Sequence, residues 1–249
     1  AAGSFVTGIS PNLPVLLLLA IWEAASRLQL VPAVMLPAPS TVIAATLQAF
    51  TQMRFLSDLG HTLWRLFLGL TIAIGLGVTI GVAAAQSKAG PLVLEPFVRV
   101  LSPLPKIAFF PALLMIFGFG DPARVLLVVG DAIFPVLLAA YHGARAVDEK
   151  LVWSARAAGM SRSRCVRMIV LPAALPGILT GVRISVVIGC IVVFFCEMVA
   201  PGDGLGDILV RAARTFQSVQ MFMPVVVISA LGFALDRLVA ALRERYAAW

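Results

Sequence analysis

Four ionisable residues stand inside long apolar stretches of this chain: Lys106, Asp131, Arg183 and Glu197. A charge at the centre of a lipid bilayer costs at least about 2.5 kcal/mol on insertion scales, so each must face protein or a wet cavity. There it can pair with an opposite charge or attract an ion. A second group of polar residues lies in the segment Asp148 to Pro172, DEKLVWSARAAGMSRSRCVRMIVLP, an Arg-rich island of helical character between apolar runs that closes on a Leu-Pro stop. Water-facing residues in such surroundings point to a partner in the aqueous phase on that side. Bond-making chemistry is poorly supplied. The two histidines, His61 and His142, lie in no HExxH pattern, and no paired-Asp motif accompanies them. Cys165, Cys190 and Cys196 lack metal-ligand spacing, and two of them sit in an apolar run as small buried side chains. No GxxxxGK followed by Ser or Thr occurs. The nearest stretch, Ser87-Lys88-Ala89-Gly90, lacks the order needed to cradle phosphate. The chain is therefore read as one that does not hydrolyse ATP itself and carries no metal or cofactor of its own.

The elements that must position these residues are set by composition. Of 249 residues, 61% are hydrophobic and 12% charged, with a mean hydropathy of +1.02. A soluble domain carries roughly 25% charged residues, so the solvent for most of this surface is lipid. Leu66 to Ser87 and Thr215 to Leu235 contain no charge at all. Each can span a bilayer, which takes about 20 mostly apolar residues. The alternation expected of β-barrel strands is absent from these runs. The predicted class is an all-α membrane protein.

Six spans are expected: Pro11 to Gln29, Thr62 to Gln86, Leu92 to Phe117, Ala123 to Gly143, Leu175 to Val199 and Met221 to Ala241. Pro39 to Phe50 reads as a short helix outside the core, with Ser40 as its N-cap. No charge precedes Glu23, and neither the basic region nor the cleavage site of a signal peptide is visible. Gly77 and Gly81 form a small-xxx-small pair for close helix approach. Pro96, Pro103, Pro105 and Pro111 should kink or break the third span. Broken backbone at membrane depth survives only where it is buried in protein or lines a wet cavity. The third span is thus the candidate for a pathway.

The formal net charge of +7 is a matter of topology rather than of nucleic-acid binding, because the basic residues gather beside apolar runs. Arg145, Lys150, Arg156, Arg162, Arg164 and Arg167 lie between the fourth and fifth spans. Lys88 lies between the second and third, and Arg237, Arg243 and Arg245 lie at the carboxyl end. By the positive-inside rule these regions, and both termini, are cytosolic. Lys106 and Asp131 then differ in depth by only about 3 Å at 1.5 Å per residue, so they can pair. Two readings stand for Lys106: a structural bridge to Asp131, or a pathway charge that attracts an anion. Arg183 is either a snorkelling anchor or a pathway residue. Glu197 is a gate, a contact for an external protein, or a capping and packing residue.

Within the water-facing segment, Ser154-Ala155, three residues, Gly159, nine residues and Ile169-x-Leu171-Pro172 resemble the EAA loop of binding-protein-dependent ABC importer permeases. Val152, Ala155 and Ala158 can share one helix face, and Gly159 can end that helix at positive φ. FGFGDPARVLLVVGDAIFPVLLAAYHGARAVD (Phe117 to Asp148) looks like the fourth-span region of the family. LPAALPGILTGVRIS (Leu171 to Ser185), with Glu197 and Gly204-Leu205-Gly206, is similar to the branch that serves nitrate, sulfonate and taurine. The family's usual Glu is Trp153 here and its first Ala is Ser154.

The resemblance implies a type I (MetI-like) permease fold in the bacterial inner membrane, with residues 1–249 as one domain and 147–172 as its coupling loop. It implies contacts to a cytosolic ATPase through Val152, Trp153, Ser154, Ala155, Ala158, Gly159, Leu171 and Pro172. The implied partners are two ATPase subunits that bind ATP and Mg, a second permease copy or paralogue, and a periplasmic or lipid-anchored binding protein, all set in membrane lipid. Lys106, Asp131, Arg183 and Glu197 are candidates for the pathway of a small anion such as a sulfonate, nitrate or carboxylate. The rival classes are an ion-coupled secondary transporter, which is usually larger and internally repeated, and a membrane enzyme.

Overall fold

A computed structural model describes residues 13–32 and 34–246. Among these residues every regular element is helical. Helix α1 (Leu13–Arg27) and helix α2 (Pro39–Ala49) form a peripheral pair. The bundle is built from α3 (Met53–Ala85), α4 (Gly90–Leu101), α5 (Phe110–Phe117) and α6 (Asp121–Arg145). Beyond these lie the short α7 (Glu149–Ala157) and α8 (Arg162–Cys165), then α9 (Leu171–Val199), α10 (Leu205–Arg214) and α11 (Ser218–Tyr246).

Four helices are long and apolar enough to cross a membrane: α3, α6, α11 and the continuous helix Arg162–Val199. A fifth span is the broken pair Gly90–Leu101 and Lys106–Phe117, bent by 73°. The break falls at Pro103 and Pro105, as ring sterics and missing N–H donors require. The expected first span is only partly visible. It is a 15-residue helix from Leu13, short of a crossing, and Pro11 lies outside the described residues. The expectation of six spans thus becomes four plus one bent pair among the described residues.

Two boundaries differ for instructive reasons. Ser40 is not the N-cap of α2. Pro39 occupies the first turn and Ala38 the cap, since proline's fixed φ starts a helix one residue earlier. The Glu23 carboxylate of α1 accepts instead from the Ser40 N–H at 3.0 Å and its hydroxyl at 2.7 Å. Leu171-Pro172 is likewise no stop. The chain runs from α8 through a widened π turn, Val166–Val170, directly into α9. The wider turn relieves the proline's clash and absorbs its missing donor.

The core lies where α6 packs between α3 and α9, with Leu66, Val128, Val136 and Val193 fully buried. Small residues set the spacing. A Cβ on Gly81 would lie 2.5 Å from the Leu137 carbonyl, and one on Gly77 would lie 3.1 Å from Val136. The expected close approach at this pair is what brings α3 onto α6.

Candidate functional site

At one end of the bundle the water-facing segment folds as expected in outline. The Asp148 carboxylate caps α7 by accepting from the Lys150 N–H at 2.9 Å. At its other end Gly159 adopts φ +86°. Its N–H donates to the Arg156 carbonyl at 3.0 Å and the Met160 N–H donates to Ala155 at 3.1 Å. This is a Schellman cap, which leaves few helix-end carbonyls unpaired. With nine residues, α7 is too short to be stable alone in water. It is held by Val152, which packs on the main core, and by half-buried Ala155. Ala158 does not share that face. The helix ends at Ala157, so Ala158 occupies the cap and is exposed.

The other named residues of the segment are more open to solvent, with Trp153 on the rim of a cavity that α7 borders. Trp153 is 66% exposed and Leu151 55%, while Ser154, Gly159 and Pro172 are also exposed and Leu171 is half-buried. An indole that open to water is an uncommon outcome for a residue that usually buries 150–250 Å².

The intramembrane charges are paired. Lys106 Nζ donates to Asp131 Oδ1 at 2.9 Å and lies 4.6 Å from the Phe134 ring centroid. The bridge ties the broken third span to α6, and both side chains remain slightly exposed at 18% and 19%. Arg183 does not snorkel as a free anchor. It grips Asp236 of α11 through two hydrogen bonds of 2.5 and 2.7 Å, because an opposed carboxylate at its own depth satisfies a guanidinium fork more completely than a reach to the interface. Each cation already holds a carboxylate, which neutralises much of the charge it would present to a passing anion.

Glu197 is fully buried, which removes it from any surface that an external protein touches in this conformation. It sits in a network at the opposite end from α7. Arg65 Nη1 donates to Glu197 Oε1 at 2.9 Å and its Nε to Asp121 Oδ1 at 2.7 Å, while Nη2 bonds Asp203. The Thr62 hydroxyl donates to Glu197 and accepts from the Leu205 N–H at 3.0 Å. Gly206 N–H donates to Glu197 at 3.2 Å and Gly204 N–H to Asp58 at 3.1 Å. Arg211 bridges Asp58 and Asp207, and Arg124 reaches Asp203 and the Ala200 carbonyl. Burial alone would raise the Asp203 carboxyl, but the hydrogen bond and charge of Arg65 outweigh it and hold it below the ordinary carboxylate value.

This network wraps the Gly-rich turn before α10 onto the ends of α3, α6 and α9. Gly204 has φ +102°, and a Cβ there would overlap the Glu197 carboxylate. Arg65 was not among the predicted site residues. Its signal was a lone cation directly before the 22 uncharged residues from Leu66 to Ser87. The extended start of α3 at Met53, well before Thr62, follows from the same network, which carries Asp58 and Arg65 as buried residues of the helix.

Similarity to known proteins agrees with this architecture. Residues 75–248 match the family model of the binding-protein-dependent transport system inner membrane component. The chain is 30% identical over 232 residues to SsuC of Bacillus subtilis (strain 168), whose name assigns it to aliphatic sulfonates transport as a permease protein, with 93% of this chain and 84% of that one covered. It is 30% identical to the taurine transport system permease protein TauC of Escherichia coli (strain K12), covering 93% and 86%. It is also 30% identical to the bicarbonate transport system permease protein CmpB of Synechococcus elongatus, covering 74% and 66%. Among solved structures, an inward-facing MetNI methionine ABC transporter shares the fold at a TM-score of 0.59 and 20% identity, covering 77% of this chain and 97% of that chain. With a match over most of its length, an all-helical bundle and a permease fold, this chain belongs to the binding-protein-dependent transport system inner-membrane components, as a non-catalytic ABC transporter permease.

Proposed function

We propose that this chain forms the translocation pathway of an ATP-driven importer for a small anion of the sulfonate or carboxylate class, working as one of two permease subunits. Two cytosolic ATPase subunits bind ATP and Mg and drive it through α7, and an external binding protein delivers the solute. Both termini and the Arg-rich segment face the cytosol. The observation that carries this reading is α7 itself. It is a nine-residue helix capped at both ends, anchored through Val152 and Ala155, with Trp153 66% exposed. A short helix capped at both ends and set on few contacts, with its largest side chain exposed, is prepared for a partner. Closure of an ATPase pair against α7 passes to α8, whose Cys165 thiol donates to the Val152 carbonyl of α7 at 3.9 Å, and from there along the continuous helix Arg162–Val199.

The anionic substrate class rests on the relatives, whose names specify taurine, aliphatic sulfonates and bicarbonate. The orientation rests on the gathering of Lys and Arg at the α7 end. The test is a mild-detergent pull-down of the tagged chain from native membranes, with the accompanying subunits identified by mass. An ATPase of the nucleotide-binding class at equal stoichiometry is expected. A chain that purifies alone even after gentle crosslinking overturns the reading and favours an ion-coupled carrier.

A further inference from the structure

A cavity of about 890 Å³ opens at the α7 end, between the α3–α4 turn, the end of α6, and α7 with α8. Four cations line it: Lys88, Arg145, Arg156 and Arg162. Glu149 is its only carboxylate among the described residues. Two of the cations are held in place. Arg145 donates to the Tyr141 hydroxyl at 2.9 Å and Arg162 to the Gln86 carbonyl at 2.5 Å.

Adjoining this cavity at Ser87 is a groove of about 650 Å³ with an almost wholly apolar wall, which includes Ile80, Ala83, Val93, Phe97, Phe134 and Leu137. It runs between α3 and α4 over α6, from Ser87 to Ile80 and from Gly90 to Phe97. At 1.5 Å per residue that is about 10 Å into the apolar layer, or about two-thirds of a leaflet whose hydrocarbon is about 15 Å deep.

A basic cavity at the water boundary that continues into an apolar groove at acyl depth has the shape and charge of a phospholipid. We infer that the two form one site for an anionic phospholipid, with the headgroup phosphate among Lys88, Arg156 and Arg162 and the upper part of an acyl chain along Ala83, Val93 and Phe97. Basic pockets between membrane helices bind acidic headgroups through charge-assisted contacts. The cavity is too large for a lone phosphate, and the apolar wall has nothing to offer a soluble anion. Such a site works in either leaflet and with any transported solute. Through Arg156, which belongs to α7, the bound lipid braces the helix proposed to meet the ATPase.

The test uses the full-length chain extracted with whatever subunits accompany it, stripped of lipid and titrated with palmitoyl-oleoyl phosphatidylglycerol or phosphatidylcholine under native mass spectrometry. One phosphatidylglycerol per permease chain is expected to bind at least about tenfold more tightly than phosphatidylcholine, a difference of about 1.4 kcal/mol. Lys88→Gln/Arg156→Gln/Arg162→Gln is expected to abolish that preference, whereas Arg243→Gln/Arg245→Gln, which removes the same kind of charge outside the cavity, keeps it. Ala83→Phe fills the groove and leaves the cations in place. It is expected to weaken the long-chain lipid several-fold without changing binding of glycerol 1-phosphate. Equal retention of the two lipids overturns the inference. So does competition by glycerol 1-phosphate as strong as that of the full lipid, which marks a soluble-phosphate site. A crosslink from Ala83→Cys to a second copy of the chain also overturns it, since the groove is then a protein interface.

Discussion

The two ends of this bundle solve opposite problems. The end that holds Arg65 is over-determined: three guanidiniums and five carboxylates interlock, and the buried N–H groups of the Gly204–Gly206 turn find acceptors there. The end that holds α7 is under-determined. Its helix is anchored through Val152 and Ala155, and Trp153 is left in water. A network of buried ions costs several kcal/mol per ion in desolvation and recovers it only when every partner is in place, so it behaves as one rigid clamp. An exposed helix on few contacts has a low local unfolding energy and yields readily to a partner. On the proposed reading, with the drive applied at the α7 face, the soft end is the one that moves first and the clamp is the end it moves against.

The sharpest way to break the comparison is to cut the clamp. Arg65→Ala leaves Glu197 without its guanidinium inside the protein and is expected to cost ~3–5 kcal/mol, the range for removal of one member of a buried ion pair. The measurement is the midpoint of unfolding in mixed micelles. A loss under 1 kcal/mol means that the clamp is not rigid. Gly204→Ala comes next. The backbone at φ +102° belongs to a region that side chains strain to occupy, at about 1–3 kcal/mol, and its Cβ would also displace the Glu197 carboxylate. If the Gly204→Ala and Arg65→Ala losses are strongly non-additive, the turn and the guanidinium act as one unit.

Lys106–Asp131 lies between these extremes, tied by one bond of 2.9 Å and partly open to water. Lys106→Ala is expected to cost about 1–2 kcal/mol by orphaning a carboxylate. The swap Lys106→Asp/Asp131→Lys is expected to restore stability. Uptake measured in the same swapped variant then separates two roles: transport that returns with stability marks a brace, and transport that stays lost marks a pathway charge.

Much of the soft end was legible in the sequence and little of the clamp. The prolines of the third span announced its break, the Gly77–Gly81 pair announced the α3–α6 approach, and the spacing to Gly159 announced a positive-φ cap, since each is a local consequence of local residue types. Helical rise placed Lys106 and Asp131 at pairing depth, and a bridge between them was one of the two readings of Lys106. Arg65 meets partners 56, 132 and 138 positions away, and no periodicity in one segment encodes which distant carboxylate a helix end will meet. Arg183 and Asp236 were unmatched for the same reason. Pro172 misled because a π turn is a tertiary accommodation that the residue type does not reveal. The coupling loop stays an inference about a partner, legible as geometry but not as contact.

The smallest expected effect on stability belongs to Trp153, and that is what makes it informative. Its side chain is 66% exposed, so Trp153→Ala should move the unfolding midpoint by less than ~0.5 kcal/mol, as exposed substitutions do. In the proposed assembly the same change takes a large aromatic side chain from the surface that α7 would offer to an ATPase. Anchors of this kind carry about 2 kcal/mol or more when truncated, or roughly thirtyfold in association. Subunit retention on dilution and uptake per ATP turned over are the readouts, with Trp153→Phe expected to keep most of both. Trp153→Glu sharpens the point, because it restores the residue usual at this position in related loops. If the ATPase presents an apolar pocket to this chain, the carboxylate must be desolvated there and Trp153→Glu falls below Trp153→Ala. If the ATPase keeps a cation at that point, Trp153→Glu rises above it, and the soft end is adapted to an ionic partner with the indole as a bystander. Loss of stability in Trp153→Ala comparable to that of Arg65→Ala would erase the contrast between the two ends altogether.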